Sequence, residues 1–118
     1  MANLTRDEIL GSNDRKTKTV QVSEWKKGGV VTVITWSAKQ RDQFDTYVFK
    51  NREKDINLRA VFAAISIIDP DTREQLFTVD DIEALEQKSE APLTRVWEAA
   101  AGLNPVLTTQ FEEIGKNS

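Results

Sequence analysis

An α+β fold, a small and mainly helical domain of four to five helices with an N-terminal β-hairpin, is what the sequence predicts. Three observations predict it. Residues 56 to 85, INLRAVFAAISIIDPDTREQLFTVDDIEAL, place an almost wholly apolar helix before an acidic turn, the dipeptide Leu76-Phe77 and a second, capped helix. Two runs rich in Thr, Val and Ile, Lys16 to Val22 and Val30 to Trp36, flank Gly28-Gly29, the pattern of a hairpin with a loop of a few residues. Thr5-x-x-Glu8 and Ser37-x-x-Gln40 have the spacing of capping boxes, in which side chain and backbone satisfy each other at a helix start.

The chain of 118 residues has room for one ordinary core, so residues 1–104 are expected to form a single domain. Residues 105–118 are expected to be a flexible or conditionally helical tail. The first helix, after Thr5, is short and stops at Gly11. On the second strand, Val31 and Val33 face one way and Ile34 and Trp36 the other. One face then packs on the helices and the other is left for a partner or another copy of the chain.

The helix opened by Ser37 places Phe44, Tyr47 and Val48 at i, i+3 and i+4, with Phe49 widening the stripe. The charged stretch from Lys50 to Asp55 is the next connection. After an Asn57 cap, Leu58, Val61, Phe62, Ile65 and Ile68 form one face and Ala60, Ala63, Ala64 and Ile67 the rest. A helix apolar nearly all round belongs at the centre of its domain. Pro70 ends it by disfavouring helical geometry at Asp69. Leu76 and Phe77 fold back as a short extended segment onto the core. Thr78, with Asp81 at N3, caps a helix anchored by Ile82 and Leu85. Pro92 stands at the first position of the last helix, whose Leu93, Val96, Trp97 and Ala100 form a stripe closed by Gly102. Asn104-Pro105 prevents continuation. Beyond it, Leu107, Phe111 and Ile114 recur at i, i+4 and i+7, which suits a segment that folds on a partner or one that docks on its own domain.

Composition removes several classes of chemistry. There is no Cys and no His, so disulfides, thiolate catalysis, cysteine zinc sites and imidazole acid–base chemistry are excluded. Carboxylates, Lys, Tyr47, Ser and Thr remain, and the acids fall at caps, turns and solvated faces instead of converging. The expectation is a protein that is not an enzyme and needs no cofactor or metal. Asp69, Asp71 and Glu74 lack the third ligand and the Gly of a calcium loop, which leaves a solvated turn. Residues 1–60 carry 12 Lys/Arg against 8 Asp/Glu, and residues 61–118 carry 4 against 11. Lys16, Lys18, Lys26 and Lys27 cluster on the hairpin, but they alternate with Thr and Val as a solvated strand face does. The expectation is no nucleic-acid partner in a molecule of net charge -3. The N-terminus lacks the charged and apolar regions of a signal peptide, and the longest apolar run, from Ala60 to Ile68, is about half the length of a membrane span.

Seven elements then recur in a recognisable order. They are Leu4-Thr5-Arg6-Asp7-Glu8-Ile9-Leu10, Lys16-Thr17 leading to Val20-Gln21-Val22-Ser23-Glu24-Trp25, and Ser37-Ala38-x-x-Arg41-Asp42-x-Phe44. Asn57-Leu58-Arg59-Ala60, Leu76-Phe77-Thr78-x-x-Asp81-Ile82-x-x-Leu85, Lys88-Ser89, and Arg95-Val96-Trp97 with Leu103-Asn104 follow. Over residues 4 to 104 this order resembles the tail assembly chaperones of long-tailed phages with non-contractile tails and of their prophages. Ser23 stands where the pattern has Pro, and Arg73 where it has Gly.

The resemblance implies a non-catalytic morphogenetic factor of the host cytoplasm that binds the tape measure protein, keeps it soluble and is absent from the finished tail. It also implies a longer product, made by a programmed ribosomal frameshift near the end of the gene, whose added domain recruits the major tail protein. Gly115-Lys116 lies where such a slip would fall. The candidate partner-binding residues are Leu107, Phe111 and Ile114 on the tail and Ile34 and Trp36 on the hairpin. Self-association is left open. The alternative is a structural virion component, a tail-completion or connector protein on a small α+β domain.

Overall fold

The computed structural model describes residues 2–105. Among them are five α-helices and a three-stranded antiparallel sheet, with the expected hairpin near the N-terminus. Helix α1 (Arg6–Gly11) carries a complete capping box: the Thr5 hydroxyl accepts from Glu8 N–H at 3.2 Å and the Glu8 carboxylate from Thr5 N–H at 3.0 Å. It buries none of its residues, and Leu4, Ile9 and Leu10 are exposed.

Strands β1 (Thr17–Gln21) and β2 (Val30–Ile34) pair from Thr17↔Ile34 to Gln21↔Val30. Their connection, residues 22–29, is longer than the short loop expected. Val22 N–H donates to Gly29 O at 3.0 Å, and Trp25 N–H to Val22 O at 2.9 Å, which turns the half-buried Trp25 ring back onto the core. Gly28 takes φ +72°, where a residue without Cβ is unstrained.

Helix α2 (Ala38–Lys50) starts at Ser37 and buries Phe44 and Val48. Phe49 departs from the expected stripe. It is exposed, with the Arg52 guanidinium 4.3 Å from its ring centroid, because the buried arc of this helix is only wide enough for Phe44, Tyr47 and Val48. Helix α3 (Leu58–Ser66) starts where Asn57 caps it and has every residue from Ala60 to Ser66 buried. It ends sooner than the apolar run does. Ile67–Ile68 form strand β3, pairing Val33↔Ile67 and Thr32↔Ile68, so β2 becomes the central strand. β-branched side chains fit a strand flanked by β2, and Pro70 already disfavours helix at Asp69.

The acidic turn is held by Asp69, whose carboxylate accepts from Asp71 N–H at 2.8 Å and Thr72 N–H at 3.3 Å. Arg73 has φ +63°, the left-handed conformation that Gly adopts most readily. The chain returns along β3 through an isolated Ile68↔Gln75 bridge and a bond from Leu76 N–H to Ile67 O at 3.1 Å. Phe77 packs partly buried on the core as expected, whereas Leu76 faces solvent.

A 3-10 turn (Val79–Asp81) capped by Thr78 leads into α4 (Ile82–Leu85), which buries Ile82 and Leu85. Helix α5 (Glu90–Leu103) begins before Pro92, which sits at its third position and not its first. The first-turn N–H groups lack intrahelical partners, so proline costs no hydrogen bond there. The core joins α3 to α2, α4, α5 and one face of the sheet, and its centre is a ring cluster. Trp36 lies 5.1 Å from Phe44 and 5.1 Å from Phe62, and Phe44 lies 5.7 Å from Phe62 edge-on. Among the described residues no helix is long and apolar enough to cross a membrane.

Candidate functional site

Helix α2 has a buried inner face and a second face that borders open space. Along that second face runs a groove of about 340 Å³ lined by Lys39, Asp42, Gln43, Thr46, Tyr47, Lys50 and Val79. The segment after the acidic turn supplies the far wall: a recess of about 250 Å³ shares Gln43 and Val79 and continues past Gln75 and Phe77. Capping by Thr78, which accepts from Asp80 N–H at 3.2 Å, fixes where Val79 stands. Burial, reinforced by Glu86 and Glu83, raises the Tyr47 phenol above its ordinary range. The groove thus joins apolar surface to a phenol that stays neutral at pH 7, to lysines near both ends and to the Asp42 carboxylate.

Two amides fix the geometry where α2 begins. Gln43 and Gln75 donate to each other's carbonyl oxygens at 3.0 and 3.1 Å, tying α2 to the segment after the turn. Gln40 is buried; its oxygen accepts from Ser37 N–H at 3.0 Å and its amide donates to Ile65 O at 2.6 Å. Arg15 donates from Nε to Thr35 O at 2.9 Å and from Nη2 to the Gln40 oxygen. Beside these groups a polar pocket of about 300 Å³ opens, with Arg15, Lys39 and Arg73 around it.

The candidate partner-binding residues divide. Leu107, Phe111 and Ile114 lie outside the described residues. Ile34 and Trp36 do not offer a free hairpin face: Ile34 is 0% exposed and Trp36 is 8% exposed. Strand alternation fails at Trp36 because β2 ends at Ile34, so the indole turns into the same core as Val33. Its Nε1–H donates to Ser66 Oγ at 2.7 Å and its backbone N–H to Asn104 Oδ1 at 3.0 Å, which leaves nothing for a partner.

The α2 groove was not foreseen because it pairs residues about thirty positions apart, and no local period encodes that. For the polar pocket beside it two signals exist. Gln40 sits at the N3 position of the capping box, and Arg73 occupies a place that favours Gly. Among the described residues no group of three or more His, Cys, Asp or Glu could hold a metal.

The fold and the groove define a small α+β domain with an apolar trough beside one helix. No family model, no curated protein and no solved structure matches the chain.

Proposed function

We propose that this chain is a phage tail assembly chaperone that binds the tape measure protein and holds it soluble until the tail tube encloses it. The observation that carries this reading is the unpartnered apolar surface, the α2 groove with Val79 and Phe77, on a domain whose core is already complete without it. A tape measure protein is a long helical chain with apolar stripes exposed before assembly, and a groove beside a helix is a natural seat for such a stripe. The acidic second half of the chain then keeps coated molecules apart by like-charge repulsion. In this role the protein acts by binding and not by catalysis, works in the host cytoplasm and leaves before the tail is finished. A frameshifted longer product would recruit the major tail protein.

Co-expression with the tape measure protein tests the proposal. The expected result is a soluble tape measure protein that co-purifies with this chain, and Val79→Asp in the groove weakens the complex. A tape measure protein that stays insoluble and uncomplexed while this chain is folded would overturn the reading.

A further inference from the structure

The outer face of α2 presents its charges in a fixed order. Lys39, Asp42, Gln43, Thr46, Tyr47 and Lys50 line the groove at i, i+3, i+4, i+7, i+8 and i+11, which is one face of a helix. At about 1.5 Å per residue, Lys39 and Lys50 stand about 16 Å apart along its axis. Between them the charge is negative: Asp42 stands one turn from Lys39, and Glu86 and Glu83 of α4 act on Tyr47, two turns from Lys39. At the Lys39 end the adjoining polar pocket adds Arg15 and Arg73 against Glu74, with the Asp14 charge acting on Arg15, which leaves that end net positive. The groove therefore reads positive, negative, positive along its length.

These charges are not spent inside the domain. The ion pairs among the described residues are Arg6–Asp7, Arg41–Asp45, Arg59–Glu90 and Arg95–Glu24, and none uses Lys39, Asp42, Lys50, Glu83 or Glu86. Apolar surface lies alongside them, from the exposed Val79, the part-buried Phe77 and the stems of the two lysines.

The order restricts what can lie there. A second copy offering the same face would set like charge against like in both the parallel and the antiparallel direction, because the order reads the same from either end. A polyanion would meet Asp42, Glu83 and Glu86 at its centre. A helix with the opposite order satisfies all three blocks at once, and like-charge contacts reject helices of other patterns.

We propose that the α2 groove selects an amphipathic helix whose apolar stripe is bordered by an acid–base–acid order, two carboxylates three turns apart with a cation between them. This rests on the reading that the groove seats a helix, and it adds the charge pattern by which one helix is chosen over another.

The test uses the full chain and two labelled synthetic helical peptides, each long enough for four to five turns, ~18 residues. Both carry the same leucine stripe; one has Glu at two positions three turns apart with Lys between them, and its twin has every charge reversed. In fluorescence anisotropy at low salt the acid–base–acid peptide is expected to bind about tenfold tighter than its twin, with the gap closing as salt screens the exposed pairs. Lys39→Glu with Asp42→Lys and Lys50→Glu, all at exposed positions, removes that preference and leaves the unfolding midpoint nearly unchanged. Equal binding of the twins, no binding of either, or a preference that survives the triple variant overturns the proposal. A tape measure protein that co-purifies equally well with the triple variant overturns the charge order and leaves the chaperone reading standing. Twins that separate as expected beside a tape measure protein left uncomplexed support the charge order and overturn the chaperone reading.

Discussion

Replacing Asn104 by Ala should destabilise the domain by more than a residue near the end of its last helix ordinarily would. Its Oδ1 accepts the Trp36 backbone N–H at 3.0 Å, and its Nδ2 donates to Ala100 O at 2.9 Å, with Asn104 and Trp36 each 8% exposed. Truncation leaves the Trp36 N–H buried without an acceptor, which costs about 1–3 kcal/mol, and removes a second bond that contributes about 0.5–1.5 kcal/mol. Solvent at the helix terminus recovers part of the second loss, so the net expectation is about 2–3 kcal/mol. With a urea slope of about 1–3 kcal/mol per molar, the unfolding midpoint falls by about 0.7–3 M. Amide exchange at Trp36 should accelerate with it. A loss below about 0.5 kcal/mol, the range of ordinary surface substitutions, would refute the claim that Asn104 fastens α5 to the start of α2.

Arg73→Gly should stabilise the domain by about 1 kcal/mol in chemical denaturation, because the left-handed backbone costs Gly nothing, less the entropy Gly adds to the unfolded chain. Phe62→Ala should cost about 3–5 kcal/mol, because its ring touches both Trp36 and Phe44 in the core. Phe49→Ser should change stability by less than about 0.5 kcal/mol, since the ring is exposed. The raised Tyr47 pKa gives a signed pH dependence. Its stabilising contribution is full below the ordinary phenol pKa of about 10 and is lost as pH rises through the higher folded value, so Tyr47→Phe should flatten stability against pH in that alkaline window. Mass spectrometry of purified particles should find the chain absent; fixed copies per particle would favour a structural component.

How far the sequence revealed the fold depended on the range of each signal. Capping boxes at Thr5 and Ser37 and the Asn57 cap act within three residues, and all appear in the structure with the expected bonds. Errors came where two local signals met a tertiary one. Ile67 and Ile68 continue a helical stripe, yet a neighbouring strand claims them, since their β-branched side chains suit either setting. Trp36 continues a strand alternation, yet the strand stops two residues earlier. Pro92 suits the first helical position and stands at the third, because any position in the first turn spares a hydrogen bond. The groove has no local signature and the polar pocket only the two at Gln40 and Arg73, because each needs α2 and the segment after Asp69 side by side.

The buried position of Trp36 also relocates where recognition can occur. Its indole bonds to Ser66 at the end of α3, its rings meet Phe44 of α2 and Phe62 of α3, and its backbone bonds to Asn104 at the end of α5. Three helices are therefore held from one residue on the inner side of α2. A partner that bound Trp36 would have to open that junction, at the expense of several buried interactions. The other face of α2 carries no such burden: Lys39, Thr46 and Lys50 are exposed, while Phe44 and Val48 hold the helix in place from behind. A rigidly mounted helix with an open outer groove can accept a helical segment without reorganising the core, which keeps the ordering cost of binding low. Substitutions on that outer face should therefore alter binding while leaving unfolding midpoints nearly unchanged, and substitutions at Trp36 should do the reverse.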